Sequence, residues 1–153
     1  MLERTSNILS PKNCSATLLI AGFLILIQAC GGTAPHRLPV SLRTHIFQAD
    51  LPKTMQAAVS YLSSEGYPNI EANNQAGIIN TDFRTVRDIY TSSRTKITLT
   101  FQQLSQNETK VIATMTLQVR SDGDWADGVY TSESDATRAY QLIFEGINGY
   151  LRK

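Results

Sequence analysis

The chain reads as an α+β protein: an antiparallel sheet of four to five strands with two helices packed on one face, in the order (β)αββββα. Three observations carry this. Two segments repeat apolar residues at helical spacing, two others alternate apolar and polar residues, and the polar side of that alternation is rich in threonine. A sheet with one apolar and one Thr-rich side is antiparallel, with one face buried and one in water. Each amphipathic helix has a stripe to cover, and the apolar sheet face is what covers it.

The first helix starts at Asp50, a good N-cap, with Pro52 in the first turn, where its missing N–H costs nothing, and Gly66 as the stop. Leu51, Met55, Ala58, Val59 and Leu62 form its stripe, and Gln56, Ser60, Ser63 and Ser64 take the other side. Residues 67–72 and 76–83 read as short strands joined by the turn-prone Asn73-Asn74-Gln75. In 96–101, Ile97, Leu99 and Phe101 alternate with Lys96, Thr98 and Thr100. In 111–120, Val111, Ala113, Met115, Leu117 and Val119 point inward. Gln106-Asn107-Glu108 is the hairpin tip between them, and residues 44–48 are a candidate strand before the first helix. The closing helix is capped by Ser132 or Ser134. Glu133 and Asp135 suit its positive end, and Arg152 and Lys153 its negative end. Its stripe is Ala136, Tyr140, Ile143, Phe144, Ile147 and Leu151. Gly146 and Gly149 weaken it by about 1 kcal/mol each relative to Ala, a cost that close packing would explain.

Ahead of these elements lies an apolar run of about 12 residues ending in Ile27-Gln28-Ala29-Cys30, with Arg4 and Lys12 before it. A spanning helix needs about 20 apolar residues, whereas this length is that of a signal-peptide core. The segment resembles a bacterial lipoprotein signal peptide with its lipobox. That resemblance implies cleavage before Cys30, a diacylglycerol on its sulfur and an acylated new amino terminus. Gly31 then suggests sorting to the outer membrane. The implied organisation is a signal peptide at 1–29, a lipidated Cys30 and tether at 30–43, and one domain at 44–153. About ten extended tether residues reach roughly 35 Å.

Composition narrows the function further. The two cysteines are Cys14, in the part to be removed, and Cys30, so no disulfide is expected to staple the domain. Beyond residue 29 the chain carries 12 basic and 12 acidic side chains. A neutral domain has no field to steer it to nucleic acid.

The helix, Gly66-Tyr67, the Ala76-Gly77-Ile78-Ile79 strand, the long hairpin and the final helix with Tyr140, Phe144 and Leu151 resemble helix-grip-type envelope lipoproteins. The pattern is similar to the repeated domain of the BamC lipoprotein of the β-barrel assembly machinery, over about residues 44–151. It transfers no functional residue.

Candidate interaction residues are Trp125, which either folds back over the sheet edge or stands out as a contact anchor, and the cluster Arg84, Arg87, Arg94 and Lys96. That cluster either binds phosphates or an acidic surface, or is neutralised by Asp82 and Asp88. Taking Asp122 as position 1 of a calcium loop puts Asp124 at 3 and Glu133 at 12. Position 5 is then Ala126 and the turn glycine is replaced by Asp127, so no metal site is expected. His36 and His45 belong to no ligand pair or triad, and no Gly-x-Ser-x-Gly elbow occurs. No catalytic residue and no cofactor follow.

These readings point to a lipid-anchored, non-enzymatic outer-membrane protein with a periplasmic domain. It would hold an envelope partner through a sheet edge, the Trp125 loop or the groove between the second helix and the sheet. The alternative is a carrier of a small apolar ligand, with Ala58, Ala113 and Ala139 leaving space between helix and sheet.

Overall fold

The computed structural model describes residues 38–120, 123–130 and 132–153. The signal segment, Cys30, His36, Asp122 and most of the expected tether lie outside the described residues. A 3-10 turn at Val40–Arg43 leads into strand β1, Thr44–Phe47. Helix α1, Leu51–Ser64, follows, with the Asp50 carboxylate accepting the Lys53 N–H at 2.8 Å. The next strands are β2 (Glu71–Asn73), β3 (Ile78–Asn80) and β4 (Arg84–Arg87). The long strands β5 (Ser92–Ser105) and β6 (Glu108–Arg120) are followed by the short β7 (Ala126–Asp127) and helix α2 (Glu133–Leu151). Ser132 caps α2 by accepting the Asp135 N–H.

The fold is α+β, with a seven-stranded antiparallel sheet in the order β1-β6-β5-β3-β2. β4 adds beside the start of β5, and β7 beside the end of β6. Register puts Ile97 opposite Met115, Leu99 opposite Ala113 and Phe101 opposite Val111, all on one face. They join Met55, Ala58 and Leu62 of α1 and Ala136, Tyr140, Ile143, Phe144 and Ile147 of α2 in a single core cluster. The two apolar stripes read from the sequence are thus the buried faces, and the helices also pack on each other. Thr44, Ile112, Thr100 and Thr98 belong to the opposite, helix-free face.

Strand boundaries differ from the sequence reading in three places, each for a local reason. Residues 67–70 are not strand, because Gly66 at φ +77° ends α1 and the Tyr67 N–H is taken by the Leu62 carbonyl. The expected 76–83 strand breaks at buried Thr81, whose hydroxyl accepts the Ile97 N–H at 3.0 Å in place of a ladder bond. The segment joining the strand pairs is β4 and the first residues of β5. It lacks apolar alternation because the sheet there runs past the buried core, which on β5 begins only at Ile97.

Candidate functional site

On its outer edge β6 is paired with β1 only at residues 109–112 and with β7 only at 118–119. Between them no strand covers the edge: the Leu117 carbonyl accepts the Gly128 N–H at 2.9 Å, and an open cleft of about 490 Å³ lies alongside. It is lined by Leu38 and Arg43 from the chain before β1, by residues 114–117 of β6, by residues 127–130, and by Ala136 and Tyr140 of α2. This is the groove between the second helix and the sheet.

Its polar groups are few and placed. The Arg43 guanidinium donates to the Thr114 hydroxyl at 3.3 Å, and its Nε is buried without an acceptor among the described residues. The Tyr140 hydroxyl accepts the Met115 N–H at 3.3 Å, satisfying one group of the open edge. The Tyr130 hydroxyl donates to the Met115 sulfur at 3.0 Å. Burial, then the neighbouring Tyr140 and Tyr67, push the Tyr130 hydroxyl up to about 12. It therefore stays neutral in any cellular compartment. Asp127 also lines the cleft, and its carboxylate accepts from the Gln118 amide at 3.3 Å. Gly128 lets the chain run close, since a Cβ there would sit 2.9 Å from the Leu117 side chain. The lining offers apolar walls, the hydroxyls of Thr114, Thr116, Tyr130 and Tyr140, the Asp127 carboxylate and the Arg43 guanidinium, which has no ion pair among the described residues. No histidine, cysteine or serine is among the lining residues.

The sequence-derived candidates lie at one end of the sheet, on different faces. Arg94 rests over the Phe83 ring at 4.5 Å and over the Trp125 ring at 4.4 Å, and Arg120 lies over Trp125 at 4.9 Å. Trp125 thus folds back onto the sheet and is half-buried. Arg94 also donates from Nε to the Gln118 amide oxygen at 2.8 Å. Arg87 and Arg120 share the helix-free face with Arg94, flanking Ser92, whereas Arg84 pairs with Thr95 on the other face and lies over Tyr67 at 5.7 Å.

Neutralisation by Asp82 and Asp88 is not what the structure shows among the described residues. Asp82 accepts from the Asn69 amide, and Asp88 from the Ile89 N–H. The one ion pair there is Arg138–Glu145. Of the acidic loop, Asp127 is bonded to Gln118, Glu133 opens α2, and Asp122 lies outside the described residues.

His45 keeps much of its surface exposed, but one side of its ring is covered, stacked on Phe144 at 5.3 Å and edge-on to Phe47 at 4.6 Å. Withdrawal from water lowers its pKa. Ala58 and Ala113, which were to leave space for a ligand, have no exposed surface and sit in the packed core.

Gln118, outward in the phase of β6, is legible from the sequence as a surface position, whereas Arg43, Phe83 and Arg120 are not singled out as site residues. For Arg120 the same outward phase is a usable signal. Arg43 had none, because its place depends on where β1 joins the sheet.

No family model matches the chain. No curated protein matches it. The chain is similar to the crystal structure of the adenylate sensor from AMP-activated protein kinase in complex with 5-aminoimidazole-4-carboxamide 1-beta-D-ribofuranotide, with TM-score 0.42, 12% identity, and coverage of 67% of this chain and 93% of that one. It is also similar to the crystal structure of a conserved protein from Geobacillus kaustophilus, with TM-score 0.36, 8% identity, and coverage of 71% and 89%. Likeness at this level carries no functional inference.

Proposed function

We propose that the chain is a lipid-anchored, non-enzymatic accessory protein of the bacterial outer membrane, tethered through Cys30, whose periplasmic domain holds a protein partner in the α2–β6 cleft. The observation that carries the docking part is the strand-free stretch of the β6 edge beside a cleft with apolar walls, into which Arg43 brings a buried Nε with no acceptor among the described residues. A partner side chain bearing a carboxylate meets Arg43 there, while its apolar neighbours cover Leu117 and Val129. The anchor rests on the lipobox alone. The carrier reading is weaker, because Ala58 and Ala113 are already covered.

Both parts are testable in cells. A photocrosslinking residue at Val129, which is exposed at the cleft, should capture one defined envelope protein, and Arg43→Gln should abolish the adduct. No adduct at Val129, or one unaffected by Arg43→Gln, would remove the cleft as the docking site. Labelled palmitate should enter the chain and be lost in Cys30→Ala. A Cys30→Ala chain that stays membrane-held and is processed normally would overturn the anchor.

A further inference from the structure

The β4–β5 hairpin ends in a turn at residues 88–91, and Ile89 and Tyr90 there are 85% and 86% exposed. Large apolar side chains held this far out on a folded domain mark a contact site. The turn itself is closed. The Asp88 N–H donates to the Thr91 carbonyl at 2.8 Å, and the Ile89 N–H donates to the Asp88 carboxylate at 2.7 Å.

Behind the tip, β4, β5 and the end of β6 run on past the buried core, with β7 beside β6 at residues 118–119 and Arg94 and Arg120 lying over the Trp125 ring. On its helix-free face Arg87 and Arg120 flank Ser92, with Arg94 one row further back. On its other face Val86 and Val119 flank Ser93 and are 49% and 41% exposed. Among the described residues, three acidic groups belong to the turn and to the β7 segment. Asp88 is bonded within the turn, Asp127 is bonded to Gln118, and Asp124 is exposed.

We propose that this end of the sheet is a membrane-contact site: Ile89 and Tyr90 enter the interfacial layer of a bilayer, and Arg87 and Arg120 bind anionic lipid phosphates. The depths agree. Interfacial elements sink about 5–10 Å, and at about 3.3 Å per residue Arg87 lies about 7 Å behind Ile89, at headgroup level. Tyrosine favours that interface, with its ring in the apolar layer and its hydroxyl toward water. Arginine pairs with phosphate in two-point fashion. Backbone entering an apolar layer must have its polar groups satisfied, and the bonds across this turn begin to do so. A surface that is anionic above and apolar below complements a tip that is apolar in front and cationic behind. The inference goes beyond the lipid anchor and does not depend on it, since it concerns which end of the domain faces the membrane.

The full chain carrying Tyr90→Trp is reconstituted into vesicles of phosphatidylcholine and phosphatidylglycerol, with or without brominated acyl chains. The fluorescence it adds over the native Trp125 signal should be blue-shifted and quenched by bromine. Leu104→Trp, at the far end of β5 and about 40 Å away, should be neither. Arg87→Gln together with Arg120→Gln should lower the docked-to-undocked ratio roughly thirtyfold, as two surface cations are lost. Water-like, unquenched emission from Tyr90→Trp overturns the proposal, and so does equal quenching from Leu104→Trp. Palmitate on Cys30 with an unquenched tip defeats this inference and leaves the anchor, while a quenched tip without palmitate does the reverse.

Discussion

Gly146→Ala and Gly149→Ala, three residues apart on α2, should change stability in opposite directions. In an uncrowded helix alanine is favoured over glycine by about 0.8–1 kcal/mol. A Cβ at Gly149 would meet nothing within 4 Å, so that gain should be expressed almost in full, raising Tm by about 4 °C in a domain of this size. At Gly146 the new Cβ would run into the Tyr61 ring of α1, overlapping Cε2 and Cδ2 and lying 2.7 Å from Cζ. Tyr61 is half-buried, and burial, ahead of the nearby Glu65, pushes its hydroxyl up to about 12. The ring must therefore shift within a packed contact or the helices must part. Overpacking of this kind costs about 1–3 kcal/mol. Set against the same propensity gain, the net effect is a loss of about 1 kcal/mol, and the two variants differ by about 2 kcal/mol. Urea unfolding followed by far-ultraviolet circular dichroism measures both, with an unchanged m-value confirming that stability alone moved. In a Tyr61→Ala background the clash is gone, and Gly146→Ala should stabilise as Gly149→Ala does. If Gly146→Ala raises the stability of the native chain as much as Gly149→Ala does, the close helix approach argued from this glycine is wrong.

Three other outcomes are expected. Gly77 has φ +63° and a Cβ there would lie 2.6 Å from the Phe101 carbonyl oxygen, so Gly77→Ala should cost about 2–4 kcal/mol in the same unfolding assay; a cost below about 1 kcal/mol would contradict the β3–β5 register. Burial lowers the His45 pKa below 6.5, so the unfolded chain takes the proton first. Its stabilising contribution is complete above the unfolded pKa and is lost as pH falls through the folded one. Thermal unfolding between about pH 7 and about pH 5 should show that decline, and His45→Phe should flatten it. Tyr140→Phe leaves the Met115 N–H without its 3.3 Å partner at the cleft and should cost about 1 kcal/mol; a neutral result would mean that water replaces the hydroxyl.

The helices and the central hairpin were legible in the sequence because their signals are local. A cap residue, a stripe at 3.6-residue spacing or an alternation of two is complete within a dozen residues, and Asp50, Ser132, Ile97–Phe101 and Val111–Met115 all behave as their neighbours dictate. β4 and β7 were not legible, because strands beyond the buried core carry no apolar alternation. The sequence also could not say that Arg94 meets both Phe83 and Trp125, or that Arg43 stands in the cleft beside Tyr140. These meetings depend on strand register, which joins positions tens of residues apart. The two α2 glycines show the division most plainly. Helix propensity, a property of the local chain, assigns both the same cost, and only the placement of α1 against α2 gives one of them a reason to be glycine.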